Sequence, residues 1–269
     1  MIGRALKAII YRELKRMFRQ RGRLLSAMVR PLIWLFIIGS GFGAMLGQYG
    51  PAHYQQFLVP GLLCMVLLFG SMLASLSLVY DKESGVMRML VIAPFPHYWI
   101  IITRTISATI AGLVQAGLLI IILFALGYLD LSINIGLFLL GLVVTAFLCA
   151  SAGILLAVFS NTLENFAVFM NFVIFPVFFL SGALYPLQHL PQLLKWLTLI
   201  NPFSYGVDLL KHAVLLDFHE AFSAEFSVFH DLLFIITFSI IALLIACMRF
   251  SQVRVIEKLA KVLSDSRRD

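Results

Sequence analysis

Residues 81–96 read DKESGVMRMLVIAPFP, with three charges in the first three positions and two prolines near the end. The stretch lies between two runs that are almost wholly apolar, roughly 57–79 and 99–127. About 20 mostly apolar residues cross the ~30 Å hydrocarbon core of a bilayer as a helix. Both flanking runs reach that length, so the insert reads as a connection between two membrane-spanning helices. Four further runs qualify, some only with their flanks: 25–47, 134–159, 165–185 and 230–250. Only helices and closed barrels satisfy every backbone polar group in lipid. Continuous apolarity without period-two alternation excludes a barrel. The sequence therefore predicts an all-α integral membrane protein with six transmembrane helices.

Composition agrees. Hydrophobic residues make up 61% of the 269 and charged residues 12%, half the ~25% usual for soluble domains. Such a chain cannot cover itself with a polar surface. Cys64, Cys149 and Cys247 each stand alone in an apolar run, without CxxC or His/Cys spacing, and read as packing residues. The basic first ~23 residues lack the continuous apolar core of a signal peptide, so the first apolar run, Pro31–Leu46, reads as a retained span.

Eighteen of the twenty Lys and Arg residues fall in the N-terminal segment, at Lys82, Arg88 and Arg104, or in the tail. Only Lys195 and Lys211 fall on the other side. The positive-inside rule makes both termini cytoplasmic, as six spans require. The net charge of +7 is thus a topology signal. Nucleic-acid binding is a poor reading of it, because no folded soluble domain remains to present a basic face.

Two elements do not span. Within 3–23, Leu6, Ile10, Leu14 and Met17 share one helical face, opposite Arg4, Arg12, Lys15 and Arg19. This is the pattern of an amphipathic helix at the inner membrane surface, either a simple positive anchor or a helix that also meets a cytosolic partner. Glu13 lies near its apolar face, where a basic partner would account for it. The second element, 186–229, is too apolar for a plain loop. It holds Leu187–Leu199, and then Asn201-Pro202 opens a second helical run, Asn as N-cap and Pro at the first helical position. Phe203, Val207, Leu210 and Val214 recur there at helical spacing. Both runs are too short to cross a bilayer. Two short helices dipping into the outer leaflet, or a re-entrant hairpin buried in protein, fit this pattern.

Much chemistry is missing from the sequence. It has no GxxxxGK[ST], HExxH or GxSxG, so no catalytic, cofactor-binding or metal site is expected. His53, His97, His189, His212, His219 and His230 fall outside the apolar cores and read as loop or interfacial residues. No Asp, Glu, Lys or Arg occupies the interior of a span, with Arg104 and Glu164 at span ends. Ion-coupled carriers need ionisable groups within the membrane. Any transport energy therefore enters through the cytoplasmic inserts.

Glu83, Gly85, Leu90 and Pro94 match E-x-G-x-x-x-x-L-x-x-x-P. This resembles the motif between the second and third spans of the ABC-2 type permeases, the membrane subunits of one class of ATP-binding-cassette exporter. Ser181, Gly182, Pro186, Leu190, Pro191, Asn201, Pro202, Tyr205 and Gly206 resemble the family's pattern after the fifth span. YRELKRMFRQR (11–21) is similar to its basic interfacial helix.

The resemblance covers essentially the whole chain and implies a single permease domain, 1–269. Its parts are an interfacial helix (1–23), a coupling-helix loop (80–97), two outer re-entrant helices (186–229) and a cytoplasmic tail (251–269). It also implies a homodimer with two separate ABC ATPase subunits, which bind the ATP and Mg. The short coupling helix would sit in an ATPase groove. Pro94 and Pro96 bound it, leaving 82–92 room for two to three turns. Val86, Met89 and Leu90 would face the groove, and Lys82, Glu83 and Arg88 would meet ATPase charges. Gly85 and Pro94 would shape the loop, and Glu13 would join from the N-terminal helix.

In the fifth span Phe172, Phe175 and Phe179 cluster on one side of the helical wheel, an aromatic wall suited to an apolar or amphiphilic cargo, or to packing. Asn171 marks a pathway or hydrogen-bonds to a neighbouring helix, and Gln115 invites the same two readings. The resemblance assigns Tyr185, Asn201, Pro202 and Tyr205 to the outer gate. Gly39 and Gly43 form a small-xxx-small spacing, for dimer contact or for packing within one subunit. The expected function is the permease subunit of an ATP-driven exporter in the bacterial inner membrane, moving a drug-like compound or lipid. A polysaccharide or lipid-linked glycan exporter is the alternative within the family. A membrane protein not coupled to an ATPase is the alternative outside it.

Overall fold

The computed structural model describes residues 10–13, 15, 19, 21–45, 50–87, 96, 98–129, 133–187, 190–215 and 224–265. Arg88, Met89, Leu90 and Pro94 lie outside them, as does most of the 1–23 helix. Among the described residues there is no strand. The chain runs α1 (Arg21–Ile33), a π-helical stretch (Trp34–Ile38), α2 (Gly39–Met45), α3 (Gly50–Glu83), α4 (Tyr98–Ala125), α5 (Ile135–Phe159), α6 (Leu163–Phe179), α7 (Gln192–Ile200), α8 (Pro202–Val214) and α9 (Val228–Asp265).

Among the described residues, four helical segments are long and apolar enough to cross a membrane: Tyr54–Glu83, Tyr98–Ala125, Ile135–Phe159 and Val228–Ser251. Two shorter apolar helices, Met28–Gly41 and Leu163–Phe179, fall where the first and fifth runs were read. The first run is not one regular helix. Pro31 lies inside α1 and brings no N–H to the helical ladder. The chain then widens into the π stretch, where the Gly39 N–H reaches back to the Trp34 carbonyl. The fifth run stops at Phe179 rather than continuing to 185, because Gly182 takes a left-handed conformation (φ 72°) in the turn that follows.

Helix α3 is the axis of the fold. It packs along α4 and α5, and α5 also packs on α8 and α9. From Phe57 to Met72 every residue of α3 is buried, so its apolar side chains meet protein rather than lipid. Small residues allow this closeness. A Cβ on Gly153 of α5 would come within 2.6 Å of Ser75 Oγ on α3. The main core joins Leu58, Leu63, Leu67, Leu119, Ala146, Ile174 and Phe203 from several helices. At 34 residues and 1.5 Å per residue, α3 is about 51 Å long. It outruns the ~30 Å hydrocarbon core, and its last residues, 81–83, lie against the ends of the neighbouring helices.

Of the two short elements, α8 is buried from Phe203 to Lys211. It fits the reading of a segment enclosed in protein. Phe203, Val207 and Leu210 enter the main core as their spacing requires. By contrast α7 is exposed, with Leu193, Trp196 and Ile200 all on the surface.

Candidate functional site

Three consecutive residues at the end of α3 each bind a different element. Asp81 is buried and accepts a hydrogen bond from Arg104 of α4 and one from Arg12 at 2.8 Å. The Arg104 guanidinium, also buried, donates to Ser77 Oγ (2.9 Å) and pairs with Glu13 Oε1 (2.7 Å). Arg12 lies 3.2 Å from the same Glu13 oxygen. Two cations and two carboxylates thus form a neutral quartet joining the N-terminal segment to α3 and α4. A buried guanidinium needs such company, since its fork of donors cannot lose its charge. Glu13, read from the sequence as wanting a basic partner, finds Arg104 and Arg12 in its own chain.

Lys82 Nζ donates to the carbonyls of Ala157 and Val158 (2.8 Å each) and of Ser160 (3.1 Å). These belong to the last turn of α5 and the residue that follows it. A cation is favourable there, where carbonyls lack helical partners and the helix dipole is negative. Glu83 does the reverse. Its carboxylate accepts from the Leu163 N–H (3.1 Å) at the start of α6, while Thr162 caps Asn165 N. Adjacent residues of opposite charge therefore clamp the two sides of the α5–α6 joint.

Directly beyond, the chain turns. Gly85 has φ 74°, and its N–H bonds the Lys82 carbonyl at 3.2 Å. Lys82 and Glu83 belong to the long helix, and the break in the insert falls at Gly85, which corrects the expectation of one short helix over 82–92. Val86 is half-buried, and Met87 joins a core cluster with Leu78, Val79 and Ile100.

The fifth-span aromatics divide by side. Phe166 and Phe178 are buried, whereas Asn171, Phe172, Phe175 and Phe179 are exposed. Phe175 and Phe179 stack at 6.5 Å, and Trp34 of the π stretch meets Phe178 and Phe179 edge-on at 5.8 and 5.7 Å. Trp34 was missed in the sequence because its partners lie nearly 150 positions away. So was the place of Arg30, counted with the N-terminal charges, whose guanidinium lies 3.9 Å from the Phe69 ring centroid. Gly39 packs on Gln55 and Leu58 of α3, an in-chain contact, and Gly43 is buried. Gln115 of α4 is buried beside Gly70 of α3.

At the opposite end, α8 starts at Asn201-Pro202 as read. The Asn201 side chain accepts from Phe203 N (3.1 Å) and donates to the Val177 carbonyl (2.7 Å), an orphan of the last turn of α6. The Tyr205 hydroxyl donates to the Leu199 carbonyl at 2.8 Å, and its ring stacks on Phe234 at 4.2 Å. The Tyr185 hydroxyl bonds the Phe179 carbonyl. Asn201, Tyr185 and Tyr205 therefore hold α6, α7, α8 and α9 together at this end. Burial pushes the carboxyls of Asp208 and Glu225 up and the Lys211 ammonium down. His212, read as loop or interfacial, sits in the helical run that opens at Asn201-Pro202 and lies beside Asp208 and Asp231. No sequence motif announced that grouping, because Asp231 comes from another helix.

Comparison with known proteins agrees with the motifs. The family model for the ABC-2 type transporter matches residues 4–215. The chain is 29% identical to the "Inner membrane transport permease YadH" of Escherichia coli over 78% of this chain and 83% of that protein. It is 28% identical to "Nodulation protein J" of Rhizobium leguminosarum bv. trifolii, over 71% and 74% respectively. It is 27% identical to "Probable multidrug ABC transporter permease YbhR" of E. coli, over 63% of this chain and 46% of that protein. With its apolar helices and the three motifs, the chain belongs to the ABC-2 type transporter family, transport permeases that work in membranes with ABC ATPase partners.

Proposed function

We propose that this chain is the permease subunit of an ATP-driven exporter, with six spans, both termini in the cytoplasm and two copies paired on two separate ABC ATPases. The cargo is a hydrophobic or amphiphilic molecule, drug-like or lipid. One observation carries the coupling part of this reading: Asp81, Lys82 and Glu83 bind, in succession, the α4 guanidinium, the end of α5 and the start of α6. A force applied at the Gly85 turn is then passed to four helices together rather than to a single flexible loop. The exposed row of Phe172, Phe175 and Phe179 suits an apolar or amphiphilic cargo without deciding against a glycan, and the relative YbhR is named a probable multidrug permease.

Two experiments test the reading. A tagged copy is purified from native membranes in mild detergent, where the expected result is an ABC ATPase retained with the permease in equal copies, two of each. Inverted vesicles holding this complex are expected to accumulate a fluorescent lipophilic dye only with ATP and Mg. Failure of any ATPase to co-purify, with transport unchanged when Glu83 is reversed to Lys, overturns coupling. Coupling without dye movement, but with export of a lipid-linked glycan, selects the glycan reading.

A further inference from the structure

Away from the insert end, three side chains converge where α8 meets α9. Asp208 and His212 lie one turn apart on α8, and Asp231 lies in the first turn of α9. One donor atom of each lies within 4.8 Å of the others. His212 Nε2 is 3.7 Å from Asp208 Oδ2 and 3.9 Å from Asp231 Oδ2. Asp208 accepts from the backbone N–H groups of Glu225 and Phe226, each at 2.9 Å. Asp231 is different. It is 0% exposed, and neither carboxylate oxygen has a hydrogen-bond partner among the described residues. A carboxyl withdrawn from water in that way either keeps its proton or takes a counter-charge. Lys211 is turned toward α3, its Nζ 5.1 Å from the Phe57 ring centroid. Three carboxyls, Asp208, Glu225 and Asp231, meet one ammonium, Lys211, here, and a bound divalent cation would balance two of them in ionised form.

We propose that Asp208, His212 and Asp231 bind a divalent cation of the zinc type and so join α8 to α9. Tetrahedral bonds of about 2.0–2.2 Å place ligand atoms roughly 3.3–3.6 Å apart. The two separations from His212 need to shorten by only a few tenths of an ångström. One imidazole with two carboxylates suits Zn²⁺, Co²⁺ or Mn²⁺ better than Ca²⁺ or Mg²⁺, which favour oxygen alone, or Cu⁺, which favours thiolate. Nε2 lies 2.7 Å from the Phe226 carbonyl. Binding exchanges the Nε2 proton for the cation and leaves that carbonyl, or a water, for the fourth position. The site owes nothing to the ATPase-facing end, so it stands or falls apart from the exporter reading.

The full chain in detergent, treated with EDTA and dialysed, is titrated with Zn²⁺ by calorimetry and with Co²⁺ by visible absorption. The expected result is one ion per chain, cobalt d–d bands without a thiolate charge-transfer band, and a melting midpoint that rises with zinc. Asp231→Asn and His212→Gln each weaken zinc binding at least about tenfold. Asp231→Asn has the same shape and removes the uncompensated charge, so in EDTA it melts no lower than the unmodified chain. Wild-type affinity in both variants overturns the proposal. So does the absence of saturable cobalt absorption in the unmodified chain, a readout that does not depend on any variant folding.

Discussion

Arg104 of α4 binds Asp81 of α3 and Glu13 of the N-terminal segment at the same time, with its guanidinium buried. The pairing turns three separate pieces of chain into one unit at the end where the connecting insert leaves the bundle. Arg12, half-exposed, completes the charge balance but adds little, since exposed pairs contribute only up to about 1 kcal/mol.

Removing one buried partner costs far more than the pair contributes, because the other charge is left stranded. Asp81→Asn is expected to destabilise the chain by roughly 3 kcal/mol, the low end for a broken buried pair, because Glu13 and Ser77 still hold Arg104. Replacing both, Asp81→Leu with Arg104→Met, is expected to recover most of that loss. Melting midpoints of Asp81→Leu, Arg104→Met and the double variant in one detergent check this. An additive double variant would show that the two residues do not interact.

Lys82 and Glu83 act on backbone groups of other helices, so their loss is local. Lys82→Met is expected to cost about 1 kcal/mol, as for a partly buried cation at a helix C-terminus, and Glu83→Gln less. The sharper readout is amide exchange. Lys82→Met speeds exchange through the last turn of α5, and Glu83→Gln speeds it at Leu163, leaving α4 protected in both. Uniform protection across 157–163 in Lys82→Met would show that the clamp does not hold the joint.

Among the described residues nothing lies within 4 Å of the point where an alanine methyl on Gly85 would lie. Its φ of 74° alone sets the cost of substitution. Gly85→Ala is expected to lose about 1 kcal/mol and Gly85→Asn less, since Asn enters the left-handed region more readily. The order of melting midpoints, Gly above Asn above Ala, checks this. Gly85→Ala equal to the parent would place the turn elsewhere.

Phe172 and Phe178 lie on one helix, 77% and 2% exposed. Phe178→Ala opens the core and is expected to cost about 3–5 kcal/mol. Phe172→Ala leaves stability within about 0.5 kcal/mol and, if the exposed row lines a cargo path, changes transport. Thermal melts separate the two effects, and ATP-dependent dye uptake by the folded Phe172→Ala variant reads the second.

Periodicity and uninterrupted apolarity placed the long helices, because crossing hydrocarbon allows few backbone solutions and each needs a minimum length. Local chemistry was equally legible where it acts over a few residues: the Asn201-Pro202 start of α8 is decided by backbone geometry within one turn. The break at Gly85, inside a stretch read as one short helix over 82–92, was not. The π stretch at Trp34–Ile38 was not legible, since it depends on what the helix packs against, and the apolar run through 185 hid the stop that the Gly182 turn sets after Phe179.

Residue order and composition are enough to put this chain in a membrane, to locate its long apolar helices to within a few residues, and to show which family it resembles. Those properties follow from local pattern and short motifs. Where the charges go is a different matter, and only the packing of the helices settles it. Asp81, Lys82 and Glu83 are consecutive in the chain yet reach α4, α5 and α6, and Asp231 reaches α8 from another helix. Partners of that kind are chosen by which helix ends converge in space, and a charge in a low-dielectric interior takes whatever counter-charge or orphan backbone group the packing brings to it.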